Sequence, residues 1–152
     1  MDNKVDINQV DVLMVEDNPN DAELIMRALG KINFANKIYW VKDGEEALEF
    51  IFCTGKFSNR DIINPPKVIF LDIKLPKVNG LEVAAKIKAD ERTKMIPLVI
   101  VTSSQEESDL RNAYDNGVNS YIVKPIEAAN FVKSLSEAGL YWLAVNKPPI
   151  TN

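Results

Sequence analysis

The chain has 152 residues, 46% of them hydrophobic and 26% charged, with a formal net charge of −4 at pH 7 and no histidine. This length favours one domain, and an acidic chain with scattered Lys and Arg is a poor candidate for binding nucleic acid. The absence of histidine excludes Ser-His-Asp and Cys-His catalysis, and with a single cysteine it also excludes the usual zinc sites.

No apolar run approaches the roughly 18 residues of a membrane-spanning helix. The N-terminal sequence MDNKVDINQV lacks the charged and then apolar profile of a secretory signal. We therefore expect a cytoplasmic protein that binds neither membranes nor nucleic acid.

Short apolar segments rich in β-branched residues alternate with longer amphipathic segments. The predicted strands are Asp11–Val15, Lys37–Val41, Lys67–Leu71, Leu98–Thr102 and Ser120–Val123. The predicted helices are Asn20–Lys31, Gly44–Thr54, Leu81–Ala89, Glu106–Asn116 and Glu127–Val145. Asn18, Asp43 and Asn79 stand where helix N-caps are expected, and Gly117 follows the fourth helix.

Five βα units predict an α/β fold, a doubly wound five-stranded parallel sheet with helices on both faces. The strands are apolar at nearly every position, as in parallel strands covered on both sides. We expect a single domain over residues 1–152 with its core at about 9–145. The segment Gly55–Pro66 is predicted to be a long surface loop and residues 146–152 a loose tail.

Polar side chains follow four of the five predicted strands. Glu16 and Asp17 follow the first strand, Asp72 the third, Thr102 ends the fourth, and Lys124 follows the fifth. Ligands of doubly wound sheets bind beyond the carboxyl ends of the strands, so these residues are expected to converge at one edge.

Carboxylates placed this close together repel one another, and a hard divalent cation such as Mg²⁺ relieves the repulsion. Asp72 is then a plausible nucleophile that forms an aspartyl phosphate. The Lys124 ammonium can pair with Asp72 and then with the phosphoryl group, and the Thr102 hydroxyl can donate to a phosphoryl oxygen.

Four segments carry a family resemblance: VLMVEDNPND, VIFLDIKLPKVNG, VIVTSS and SYIVKP. Together and in this order they resemble the signature motifs of response-regulator receiver domains, which have a flavodoxin-like fold. The long loop before the third strand and the ending LSEAGLYWLAVNKPP resemble the stand-alone receivers that partner bacterial phytochromes.

The resemblance implies a role for each residue at the edge of the sheet. Asp72 is the implied phosphoacceptor, Asp17 a direct ligand of Mg²⁺ or Mn²⁺, and Glu16 a ligand acting mainly through water. The Lys74 backbone carbonyl is the implied further metal ligand, beside Asp72 itself.

Thr102 and Lys124 are the implied phosphoryl-binding residues, and Tyr121 is the aromatic residue that moves inward on activation. The implied partner is a sensor histidine kinase, because a chain without histidine cannot supply a phosphohistidine itself. The resemblance narrows this partner to a bacterial phytochrome. The protein would act as a phosphorelay switch and not as an enzyme, with only self-catalysed phosphotransfer and slow autodephosphorylation.

Three other readings use the same fold. A haloacid-dehalogenase-like phosphatase needs a second acid two residues after the nucleophile, where this chain has Lys74. A flavodoxin-like FMN binder needs a Ser/Thr/Gly-rich phosphate loop where this chain has EDNPND. A pseudo-receiver would keep the fold and only bind proteins, against which the intact Asp17, Asp72 and Lys124 argue.

The last predicted helix carries apolar residues on two sides. At 100° per residue, Phe131, Leu135, Ala138 and Trp142 form a stripe expected to pack on the sheet. Val132, Leu140 and Leu143 would then face solvent, which predicts a homodimer with Val132 and Leu143 at its core.

Overall fold

The computed structural model describes residues 6–30, 37–125 and 127–149. Five parallel strands form one sheet in the order β2-β1-β3-β4-β5. The strands are β1 Val12–Val15, β2 Ile38–Val41, β3 Val68–Leu71, β4 Leu98–Thr102 and β5 Ser120–Val123. This is the predicted doubly wound sheet, and every observed strand lies within one residue of its predicted bounds.

The helices follow the strands in strict alternation. They are α1 Pro19–Gly30, α2 Gly44–Phe52, α3 Gly80–Ala89, α4 Glu107–Asp115 and α5 Ala128–Leu140. The predicted N-caps are confirmed, because the side chains of Asp43 and Asn79 accept from the N–H groups of Glu46 and Glu82. Lys31, where the first helix was predicted to end, lies outside the described residues.

Two apolar layers cover the sheet. One face packs against α1 and α5, with Met14, Phe70, Ile25 and Leu135 at its centre. The other face packs against α2, α3 and α4 through residues such as Leu13, Ile69 and Phe50. All residues of β1, β3 and β4 are buried, which makes the centre of the sheet a rigid support for the loops at its carboxyl edge.

The segment 55–66 differs from the predicted surface loop. It begins with a 3-10 helix, Gly55–Phe57, and Phe57 is buried against the ring of Phe50. Arg60 is also buried and donates to the carbonyls of Ile7, Phe50 and Asn64. The composition suggested a surface loop, but these two buried side chains anchor the segment to the protein interior.

The end of the last helix corrects the predicted orientation of Leu143. After Leu140 the chain widens into a π-helical turn, Tyr141–Val145, which turns less per residue than an α-helix. Leu143 is therefore buried in the layer formed by α1 and α5, and Val132 is half-buried against the same layer. The inward positions of Phe131 and Leu135 are confirmed.

The chain after the π-helical turn lies near the amino ends of strands β3 and β4. Pro148 and Pro149 line a cavity of about 210 Å³ together with Pro65, Pro66 and Met95. Residues 150–152 of the predicted tail lie outside the described part of the chain. Among the helices of the described residues, none has the length and apolar character needed to cross a membrane.

Candidate functional site

Three carboxylates meet at the carboxyl edge of the sheet. Val15 and Leu71 are partners in the β1–β3 register, so the residues that follow them, Glu16 and Asp72, lie side by side. Carboxylate oxygens of Glu16, Asp17 and Asp72 all lie within 4.8 Å of one another. Glu16 and Asp72 are 1% and 6% exposed, whereas Asp17 is open to solvent.

Lys124 extends from the end of β5 into this cluster. Its Nζ lies 2.9 Å from Asp72 Oδ2 and 2.6 Å from Glu16 Oε1. A third carboxylate, Asp21 in the first turn of α1, also lies 2.8 Å from Nζ. The three N–H donors of the ammonium are thus all directed to carboxylates.

Asp21 is not among the predicted site residues. It lies in the first turn of a helix and does not directly follow a strand. The predicted N-cap at Asn18 contained the signal, since it places Asp21 in the first turn of α1 and hence near the same edge.

The electrostatics of the cluster favour a cation. Burial raises the pKa of Glu16 to about 7, and the negative charge of Asp72 adds to this increase. Burial lowers the pKa of Lys124, but hydrogen bonds to Asp21 and Glu16 outweigh it, so this pKa lies above its ordinary value. One ammonium facing four carboxylates leaves an excess of negative charge, which suits a divalent cation with oxygen ligands.

The backbone around Asp72 is held by the neighbouring strand β1 and by the start of α3. The Asp72 N–H donates to the Val15 carbonyl at 3.1 Å, and Asp72 Oδ1 accepts from the Lys74 N–H at 3.3 Å. The N–H of Gly80, the first residue of α3, donates to the Ile73 carbonyl at 2.7 Å. The start of α3 therefore rests directly on the segment that carries Asp72.

Thr102 is fully buried at the end of β4, and its hydroxyl oxygen accepts from the Ser104 N–H at 3.3 Å. This contact leaves the hydroxyl proton available to donate. Ser104 in turn donates through its hydroxyl to Asp109 Oδ2 at 2.5 Å. Its carbonyl accepts from the half-buried Tyr121 hydroxyl at 3.0 Å. A continuous set of contacts thus joins Thr102 to both α4 and β5.

A cleft of about 430 Å³ opens beside the carboxylates. Asp17, Lys74, Asn79, Leu81 and Asp109 are among the residues that line it. Lys74 is exposed and lines this cleft together with Asp17. The described residues thus offer a small ligand direct access to the carboxylate cluster.

This fold, with an acidic cluster at its carboxyl edge, is that of a flavodoxin-like receiver domain. The family model of the response regulator receiver domain matches residues 12–136, and the chain belongs to that family. Receiver domains act as phosphoacceptor switches in two-component signalling, and phosphorylation by a kinase partner is their general role.

The similarity to individual proteins covers nearly the whole chain. The chain is 41% identical to the probable methanogenesis regulatory protein FilR2 of Methanothrix harundinacea over 91% of this chain and 86% of that protein. It is 32% identical to response regulator Rcp1 of Synechocystis over 87% of this chain and 88% of that protein.

Solved structures of related regulators superpose closely. The Mn²⁺-bound form of Rcp1 has a TM-score of 0.85 at 31% identity, covering 91% of this chain and 98% of that one. The phosphorylated cyanobacterial phytochrome response regulator RcpA has a TM-score of 0.87 at 33% identity, covering 93% and 99%. The predicted resemblance to phytochrome response regulators is confirmed.

The close approach of α3 to the Asp72 segment gives a testable prediction. A Cβ added at Gly80 would overlap the Asp72 carbonyl oxygen and the Ile73 Cα. We expect Gly80→Ala to lower the free energy of unfolding by about 1–3 kcal/mol, because either α3 or the Asp72 segment must shift. Urea denaturation followed by circular dichroism measures the change.

Gly30→Ala is the matched control, because among the described residues a Cβ at that helical position meets nothing within 4 Å. It should leave stability unchanged or raise it by up to about 1 kcal/mol. Equal stability of Gly80→Ala and the wild type would contradict the packing described above.

Proposed function

We propose that this chain is a single-domain, stand-alone response regulator that accepts a phosphoryl group on Asp72 from a histidine kinase. Phosphorylation would then switch its contacts with other proteins in a cytoplasmic phosphorelay. The observation that carries the proposal is the ion pair of Asp72 with Lys124 inside a cluster of carboxylates, of which Glu16 and Asp72 are buried. Burying these charges is costly, so the cluster is a poor way to stabilise the fold. It does place a carboxylate beside an ammonium, which suits a nucleophile that accepts a phosphoryl group.

The proposed reaction assigns a step to each of Asp72, Lys124 and Thr102. A carboxylate oxygen of Asp72 attacks phosphorus, and the P–N bond to the donor's histidine breaks. The imidazole keeps the electron pair of that bond and takes up a proton. Lys124 exchanges its contact with Asp72 for one with the phosphoryl group, and the Thr102 hydroxyl donates to another phosphoryl oxygen.

Glu16, Asp17, Asp72 and the Lys74 carbonyl are the residues that would hold Mg²⁺ or Mn²⁺. A bound cation would neutralise charge on the transferred phosphoryl oxygens. The buried Glu16, paired to Lys124 yet close to Asp72, supports this assignment because the cluster lacks sufficient positive charge. The Mn²⁺-bound structure of Rcp1 supports it from a related protein.

Tyr121 is proposed as the switch residue. Its hydroxyl already reaches the Ser104 carbonyl, and Ser104 contacts the Thr102 hydroxyl oxygen. Movement of Thr102 toward a phosphoryl group would therefore change the contacts of Tyr121. The ring of Tyr121 is half-buried in the edge strand β5.

A bacterial phytochrome is the proposed kinase partner. The similarity to RcpA, a phytochrome response regulator, supports this choice. Transfer from a purified phytochrome kinase, compared with a histidine kinase of another sensory class, tests it. Preferential transfer from the second kinase would overturn this part of the proposal alone.

Phosphorylation itself is tested with a small phosphodonor. We expect the wild type to gain one phosphoryl group from acetyl phosphate in Mg²⁺, and Asp72→Asn to gain none. Asp72→Asn should also fold with nearly unchanged or higher stability, because it removes one charge from a repulsive cluster. Intact-mass measurement after incubation with and without Mg²⁺ reads out the result.

Asp115→Asn, an exposed change in α4, is the control and should gain one phosphoryl group like the wild type. Uptake by Asp72→Asn at the wild-type stoichiometry would refute the assignment of the phosphoacceptor. A wild type that gains nothing would point to a pseudo-receiver, and continuous consumption of the donor would point to a phosphatase.

The phosphoryl group is expected to stay on Asp72 for minutes or longer. Lys74 and Ser104 stand two residues beyond Asp72 and Thr102, at the positions that the resemblance places beside the attacking water. Lys74 offers only donors, and the Ser104 hydroxyl proton is taken by Asp109, so neither orients a water well. Loss of label after donor removal measures the lifetime, and a half-life of a few seconds in Mg²⁺ would be incompatible with this account.

A homodimer is also proposed, now through different residues of the last helix. Leu140, Tyr141 and Val145 are 46%, 48% and 66% exposed, unlike the buried Leu143. Three adjacent apolar groups at the surface support a protein contact at this end of the helix.

Sedimentation velocity at micromolar concentration should show a dimer of the wild type, and Tyr141→Glu should shift it to monomer by placing a charge in the contact. Ile63→Glu is the control, because Ile63 is a 75% exposed apolar residue in the loop between α2 and β3. A wild type that stays monomeric before and after phosphorylation would rule the dimer out.

A further inference from the structure

Asp21 contacts Lys124 in the site and has no role in the phosphoryl transfer proposed above. Its Oδ2 lies 2.8 Å from Lys124 Nζ, as close as the contact between Lys124 and Asp72. It comes from α1, whereas the other two carboxylates on Lys124 follow strands β1 and β3. Asp21 is also the most open of the three, with its side chain 29% exposed against 1% for Glu16 and 8% for Asp72.

The local structure of α1 does not require a carboxylate at this position. The N-terminus of α1 is capped by Asn18, whose Oδ1 accepts from the N–H groups of Asn20 and Asp21. The Asp21 side chain therefore does not cap the helix, and its carboxylate accepts from Lys124. Its oxygen is also absent from the group of carboxylates close enough to share one cation.

Lys124 needs an anchor of this kind because of its position in the sheet. It starts at the end of β5, and β4 separates β5 from β3. Neighbouring strands lie about 4.8 Å apart, so the flexible side chain must stretch across about two strand spacings to reach Asp72. A side chain with this many rotatable bonds holds one position only if several contacts fix its ammonium.

We propose that Asp21 is a positioning residue for phosphoryl transfer, which holds the Lys124 ammonium in place while its contact with Asp72 passes to the phosphoryl group. This inference rests on the proposed function. Glu16 and Asp21 keep two of the three N–H donors, and the third is the one that changes partner. Without Asp21, the N–H group of Lys124 that it accepts from would turn to Glu16 or Asp72. The Asp72 carboxylate would then be held more tightly by Lys124 before the reaction.

The rate of phosphorylation by acetyl phosphate, measured at a series of Mg²⁺ concentrations up to saturation, tests the inference. Asp21→Ala should slow it about tenfold, since small misplacements of a site group have effects of this size. Asp21→Asn keeps an oxygen that accepts from the ammonium, and its rate should stay within about threefold of the wild type. Thermal unfolding of each variant confirms that the compared proteins are folded.

Glu23→Ala is the matched control, because Glu23 is an exposed carboxylate in α1 that pairs only loosely with Arg27, at 3.9 Å. It should phosphorylate at the wild-type rate. A wild-type rate for Asp21→Ala would overturn the inference, and so would equal slowing by Glu23→Ala, which would indicate a bulk charge effect.

Two further results would also overturn it. Asp21→Asn as slow as Asp21→Ala would show that the contact with Lys124 is not what matters. Recovery of the Asp21→Ala rate at higher Mg²⁺ would assign Asp21 to cation binding instead. A wild type that takes up no phosphoryl group would remove the proposed function and this inference together, whereas an active wild type keeps the two failures apart.

Discussion

The buried ion cluster around Lys124 is the interaction on which the carboxyl edge of this protein depends. Glu16, Asp21 and Asp72 come from three different elements and meet on one ammonium. Taking these charges out of water is costly, and loss of Lys124 would leave all three carboxylates without their shared cation. The cluster is therefore poor material for stability alone. Its excess negative charge beside an open cleft is what a cation and a transferred phosphoryl group would use.

The sheet makes this arrangement possible because its centre is rigid. The strands β1, β3 and β4 are buried over their whole length between two helical layers. Their register fixes which residues stand next to each other at the edge, and the Asp72 N–H bonded to the Val15 carbonyl extends that register by one residue. The stability of the apolar layers thus offsets the cost of gathering like charges at the edge.

A second set of contacts leads from the same edge to the surface. Thr102, Ser104 and Tyr121 form a chain of hydrogen bonds from the end of β4 to β5, and Asp109 ties the same serine to α4. These are short polar contacts that a change at Thr102 would rearrange. The proposed switch therefore has a physical route to the face formed by α4 and β5, where Leu110 and Tyr114 are exposed.

The sequence alone determined the order of elements, the bounds of the strands and the convergence of Glu16, Asp17, Asp72 and Lys124. Local patterns carry that information, because periodicity, caps and strand ends are properties of neighbouring residues. Only the tertiary structure placed Asp21 on Lys124, buried Arg60 and turned Leu143 inward. Each of these depends on contacts between distant segments or on a helix that changes its pitch, and no local pattern encodes where such side chains meet.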